Sequence, residues 1–229
     1  MKTQKGFLLS TTKYRDRDAV LHLFTNESGY ESFFVKNAYG KRYKKSAYLS
    51  PFNELEIGLA FHQNKSSIRN ISQIDLVNEM NCHQDVKLSS LIFFLSEFLH
   101  RSLRYEGKNE KIYGEILTLK MALYETNYSA YLIFLIKFLK IQGHAPLLSE
   151  GEFLDPKEGI FTGVQTADIF DREISALWKE ILSSENAYSQ RLQTKRKKTL
   201  LQSIMQYGHL HLPNFRIPVS LKIIMEVLS

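Results

Sequence analysis

A single cysteine in 229 residues, Cys82, rules out an internal disulfide and any tetrahedral site built from several thiolates. A reducing cytoplasmic setting is therefore expected. Long apolar runs are missing too. The longest candidate, residues 131–141, is interrupted by Lys137 and Lys140, whereas a membrane span needs about 20 apolar residues. No charged-then-apolar leader is present, so a soluble, intracellular chain is expected. No GxxxxGK[ST] phosphate loop occurs, so nucleotide hydrolysis is not expected. Carboxylates and histidines nowhere cluster at a spacing suited to a metal-dependent nuclease, and no internal repeat or low-complexity segment is visible.

What the chain does have is cationic charge, unevenly placed. The net charge is +6. Residues 1–78 hold twelve Lys or Arg and seven Asp or Glu, a net +5, whereas the remainder holds 18 and 17, a net +1. A basic module joined to a near-neutral one is the natural organisation, and a polyanionic partner suits the basic one. The charge concentrates between Lys36 and Tyr48. Lys36, Lys41, Arg42, Lys44 and Lys45 alternate there with Tyr39, Tyr43 and Tyr48, and no acidic residue intervenes. Cations neutralise phosphates, and aromatic faces stack on unpaired bases. A solvated surface loop that is basic for solubility alone is the alternative reading of this stretch.

Hydrophobic spacing divides the chain at about residue 78. Before it, residues 6–9, 19–24, 30–36, 52–61 and 68–76 are short segments rich in branched and aromatic residues, separated by polar turns. Asn26 to Gly29 supplies a hairpin connection. Five short strands suggest a small closed barrel, of the oligonucleotide-binding (OB) kind or the SH3-like kind. After Asp85 the spacing becomes helical, beginning with Leu88, Leu91, Ile92, Leu95, Phe98 and Leu99. Residues 131–141 are apolar nearly all round and predict a central helix, stopped by Gly143 and Pro146. Residues 147–168 interrupt the helices with a turn at Asp155-Pro156-Lys157-Glu158-Gly159 flanked by extended segments. Helices resume around Trp178, near Thr194 and from Ser220. The expected architecture is α+β, with a five-stranded OB-type β-barrel in residues 1–78 and an all-α helical domain in 79–229.

Several segments in order resemble one known family. Tyr14-Arg15-Asp16-Arg17-Asp18, Leu23-Phe24-Thr25, Phe34-Val35-Lys36 leading into the basic loop, and Leu49-Ser50-Pro51-Phe52 are similar to the N-terminal half of the bacterial RecO repair proteins. Phe138 to Gly143 and His209-Leu210-His211-Leu212 are similar to its helical half. The resemblance covers most of the chain. It implies an OB barrel followed by a helical domain, in a non-enzymatic mediator of recombinational repair that binds single- and double-stranded DNA and anneals complementary strands. It implies partnership with RecR, with RecF in some members, and with the acidic C-terminal tail of single-stranded-DNA-binding protein, in loading RecA. The setting it implies is cytoplasmic and nucleoid-associated, with no membrane role and no cofactor.

Three departures qualify the resemblance. Many members carry a four-cysteine zinc site after the middle helix, where this chain has Ser149-Glu150-Gly151, so no metal is expected. The family's Lys-Gly before the basic loop is Lys36-Asn37 here. Asn accepts left-handed backbone better than most residues, so the turn is expected to survive. A lysine common near the family's C-terminus is Val219 here.

The candidate DNA-contacting residues are therefore Lys36, Lys41, Arg42, Lys44 and Lys45 for phosphates, Tyr39 or Tyr43 for stacking, and Arg15 and Arg17 as further contacts. Asp16 and Asp18 read as turn residues held by their own hydrogen bonds. Lys195, Arg196, Lys197 and Lys198, at a helix start, form a second candidate phosphate site, against the alternative of a solvated first turn. No catalytic or metal-ligating residue is assigned. His209 and His211, two apart on a helix, point in different directions and read as structural, and Cys82 as a non-catalytic thiol. The alternative function is a protein-interaction module whose basic barrel loop docks an acidic partner.

Overall fold

The computed structural model describes residues 3–40, 46–59, 68–78, 85–189, 194–213 and 215–227. The chain forms two compact units, Met1–Tyr113 and Gly114–Ser229.

In the first unit five strands close a barrel: β1 (Thr3–Tyr14), β2 (Asp18–Thr25), β3 (Gly29–Val35), β4 (Glu54–Leu59) and β5 (Arg69–Asn78). Their order is β1-β2-β3-β5-β4, closed by an antiparallel β1–β4 pairing, with β3 and β5 parallel. This is OB-type topology, and it resolves the choice that strand propensity had left between two barrels. Alternation along the strands fills the interior with Leu8, Leu21, Leu23, Phe33, Val35, Leu55, Ile57 and Ile74. The register of β1 on β2 slips between Leu8 and Ser10, a bulge. Beyond it the β1–β2 hairpin runs on past the pairing with β4, which stops at Phe7. That extension carries the residues of interest away from the core.

The β2–β3 connection depends on Gly29. Its φ is +78°, and a Cβ there would lie 2.1 Å from the Gly107 carbonyl oxygen. Helix α1 (Val86–Ser102) packs on β1, starting from Asp85, whose Oδ1 accepts the Leu88 N–H at 3.0 Å. Its apolar stripe from Leu88 to Leu99 is buried, whereas Phe93 is exposed. α2 (Glu110–Tyr124) follows. Beside its first turn, the buried Glu54 carboxylate accepts from Tyr113 Oη at 2.9 Å and from Asn78 Nδ2 at 3.0 Å, so the buried charge is hydrogen-bonded on both oxygens.

In the second unit α3 (Ala130–Ile141) is buried along almost its whole circumference and ends at Gly143, with φ +74°. α4 (Arg172–Ser183) and α5 (Thr194–His211) pack against it, and α6 (Leu221–Val227) closes the chain. The turn region between α3 and α4 is a two-stranded hairpin, β6 (Phe153–Asp155) with β7 (Ile160–Thr162). Side chains hold it in place. The Leu154 N–H donates to Ser175 Oγ at 2.9 Å, His211 Nε2 lies 2.7 Å from the Pro156 carbonyl, and Gly159 (φ +66°) sits against the Tyr207 hydroxyl. His211 is thus a packing residue, stacked on Tyr207 with ring centroids 4.2 Å apart, whereas His209 is exposed. No group of three His, Cys, Asp or Glu able to hold a metal ion occurs among the described residues.

Candidate nucleic-acid interface

Two loops meet at the turn end of the β1–β2 hairpin. The first, Arg15-Asp16-Arg17, joins Tyr14 to Asp18, which face each other across the strands. Arg15 adopts φ 52°, a conformation costing a non-glycine residue about 1–2 kcal/mol, and its guanidinium lies 5.3 Å from the Tyr14 ring centroid. The second loop leaves β3 at Lys36. Asn37 adopts φ 59°, so the left-handed position expected from its sequence is present. Ala38 is buried in the barrel core, which throws Lys36 and Tyr39 outward, and Tyr39 is 44% exposed.

Two hydrogen bonds lock the loops together, and a third closes the second loop on itself. The Asn37 N–H donates to Asp18 Oδ1 at 2.7 Å, the Tyr39 N–H to the Arg17 carbonyl at 2.9 Å, and the Gly40 N–H back to the Asn37 carbonyl at 3.0 Å. Asp18, expected to shape its own turn, is instead the first residue of β2, and its carboxylate binds the neighbouring loop. Arg15, Arg17 and Lys36 therefore surround one shallow open groove together with Asp16, Asp18 and Asn37. Lys41, Arg42, Tyr43, Lys44 and Lys45 lie outside the described residues. The described chain reaches Gly40 beside this groove and resumes in a short 3-10 turn, Ser46–Leu49, whose Tyr48 and Leu49 pack on the barrel core.

The Asn37 amide folds over Gly40, where an added Cβ would meet Oδ1 at 2.3 Å. Gly40→Ala is expected to destabilise the protein by about 1 kcal/mol, and to become neutral in an Asn37→Gly background. Urea unfolding of the four variants of this cycle measures that coupling, and additive effects would refute the contact.

The outer barrel face holds a polar cluster that sequence reasoning did not anticipate. His22 Nδ1 lies 2.8 Å from Ser32 Oγ, and Tyr30 Oη 2.9 Å from His100 Nδ1. The rings of His22 and His100 are 5.0 Å apart. Burial, then His22 and then Arg104 hold His100 down to about pH 4, while burial and Arg104 lower His22. Burial pushes the Tyr30 hydroxyl up to about 12. Both histidines bind protons more readily when unfolded. Stability is therefore expected to be full above about pH 6.5 and to fall as the pH drops toward 4. His100→Gln should flatten that dependence in urea unfolding at pH 7 and 5. An unaltered slope would remove His100 from it.

The second cationic run is placed differently from the first. Arg196 pairs with Asp171, the residue capping α4, at 3.1 Å, and also with Glu173. Its charge is engaged by two carboxylates. Lys198 is exposed, Lys197 is half-buried, and the Lys195 side chain lies outside the described residues.

An OB-type barrel whose loop end gathers Arg15, Arg17 and Lys36, with a helical unit after it, defines a class of basic-loop barrel proteins. Residues 1–80 match the family model described as Recombination protein O N terminal. The whole chain is 31% identical to the DNA repair protein RecO of Flavobacterium johnsoniae and 30% identical to that of Flavobacterium psychrophilum, each over 98% of both chains. It is 25% identical to the DNA repair protein RecO of Bacteroides fragilis over 97% of both chains. The chain belongs to the DNA repair protein RecO family. No helix among the described residues is long and apolar enough to cross a membrane.

Proposed function

We propose that this protein is a cytoplasmic, nucleoid-associated mediator of recombinational DNA repair that binds single- and double-stranded DNA, anneals complementary strands, and acts with RecR to load RecA onto protein-coated single strands. Residues 1–78 carry the DNA contact. Residues 79–229 are the seat of partner binding, including RecF where it takes part and the acidic tail of single-stranded-DNA-binding protein. The observation that carries the reading is the groove shared by Arg15, Arg17 and Lys36, three cations from two hydrogen-bonded loops, beside Gly40, from which the basic run begins. Family membership supports the same conclusion.

The mechanism needs no nucleotide hydrolysis. Arg15, Arg17, Lys36, Lys41, Arg42, Lys44 and Lys45 neutralise phosphates on two strands, which lowers the repulsion that keeps them apart. Tyr39 or Tyr43 holds a base unstacked and available for pairing. Lys198 adds a further phosphate contact in the helical part. The test is an annealing assay with two complementary labelled strands and no ATP. The account expects duplex formation to accelerate at least tenfold over the spontaneous rate, more so with RecR on strands coated by single-stranded-DNA-binding protein. No acceleration on bare strands would reject it. Tight binding of an acidic peptide in place of DNA would instead favour the protein-docking reading.

A further inference from the structure

Asp18 carries the wrong charge for the groove it lines. It stands half-buried beside Arg15, Arg17 and Lys36, where a carboxylate repels the phosphates that the cations attract. Among the described residues it forms no ion pair with any of the three, so neutralising them is not its use. Its Oδ1 is occupied instead by the Asn37 N–H, at 2.7 Å. Asp16 lines the same groove, yet its carboxylate holds nothing in the second loop among the described residues.

The Asp18 bond falls at the root of the basic loop. Val35 ends β3 inside the barrel, Asn37 turns left-handed, and Ala38 returns to the core. Residues 36–40 are thus a tight stem. Core packing of Ala38 fixes it on one side. On the other, Asp18 Oδ1 holds Asn37 and the Arg17 carbonyl holds Tyr39. Gly40 closes the turn on the Asn37 carbonyl, and the run from Lys41 to Lys45 follows it directly in sequence. A hydrogen bond to an ionised acceptor is about twice as strong as a neutral one, which suits a carboxylate to anchoring an exposed stem.

We propose that Asp18 is a positioning residue for nucleic-acid binding, whose carboxylate anchors the root of the basic loop and thereby outweighs the repulsion its charge exerts on the strand. The role rests on the DNA-binding reading of that loop and adds an acidic residue to it. The consequence is a reversal of sign. Taking an acid out of a groove that binds a polyanion strengthens the attraction. Taking away Asp18 Oδ1 instead frees the stem, so that only a fraction of molecules presents the loop correctly and binding weakens. Position and charge can be separated here. Asn keeps the acceptor and loses the charge, whereas Glu keeps the charge and moves the acceptor out by a methylene.

The test uses the full chain, fluorescence anisotropy and a labelled oligo-dT strand, with the urea midpoint of each variant as a check on folding. Asp18→Ala and Asp18→Glu are expected to weaken binding about fivefold, as when about one molecule in five presents the loop correctly. Asp18→Asn is expected to bind at least as tightly as the wild type. Asp16→Asn removes the same charge two residues away, gives the size of the charge effect alone, and should tighten binding. A residue that served only stability would lower the urea midpoint and leave the affinity of the folded protein unchanged. If Asp18→Ala does not fold, the Asn and Glu variants still decide between position and charge. In a wild-type protein that binds the strand, any other ranking of the Asp18 variants overturns the positioning role alone. A wild-type protein that does not bind overturns the DNA-binding reading and the positioning role with it.

Discussion

Replacing Lys41, Arg42, Lys44 and Lys45 together with Glu is expected to abolish strand annealing and to flatten the salt dependence of DNA binding. The four substitutions turn a local charge of +4 into −4 within five residues. Each phosphate contact contributes about 0.7 to the salt slope on a single strand, so four contacts account for a slope change of about 3. The reversed charges also repel the strand that the remaining cations attract. Arg15, Arg17 and Lys36 share a groove with Asp16 and Asp18, so they cannot compensate by net charge alone. Neutral replacement of those three with Gln should give a smaller, graded loss. Anisotropy at low and moderate salt gives the slope, and a strand-pairing assay gives the annealing rate. Unchanged affinity at low salt would remove the 41–45 run from the interface.

Trp178→Ala should produce the largest stability loss in the helical part, about 3–5 kcal/mol. Trp178 is fully buried, its Nε1–H donates to Ser203 Oγ at 2.9 Å, and its ring packs against Phe170 and Tyr207. Tyr207 in turn supports Gly159 and stacks on His211, which reaches the β6–β7 hairpin at Pro156. Truncation therefore empties a large cavity beneath the hairpin. Trp178→Phe should cost far less, because it keeps a ring and loses one hydrogen bond of about 1 kcal/mol. Urea midpoints of the two variants check the ordering. Because this side-chain network holds the hairpin, a chelator is expected to leave the wild-type midpoint unchanged.

The barrel was legible because its signals are local. Alternating residues and the Asn26–Gly29 turn marked the strands, and each observed strand overlaps its expected segment. Closure order was not local, since the parallel β3–β5 pairing joins residues far apart in sequence. The left-handed Asn37 followed from the resemblance, whose glycine it replaces, and from the tolerance of Asn for that backbone, and Gly143 as a helix stop followed from position. The site was half legible. Arg15, Arg17 and Lys36 were visible as cations, but only the hydrogen bonds from Asn37 to Asp18 and from Tyr39 to Arg17 bring them to one groove. Arg196 shows the opposite case. It looked like part of a phosphate site, and its partners Asp171 and Glu173 lie more than twenty residues earlier in the chain.

The most direct measurement is the affinity of the intact wild-type protein for a labelled single strand across a salt series. The account predicts log affinity falling linearly with log salt, with a slope between about −3 and −5, as expected when four to seven cations displace condensed counterions. A slope near zero, or no binding at the lowest salt, would contradict the claim that the basic loop and the Arg15–Lys36 groove form a nucleic-acid interface.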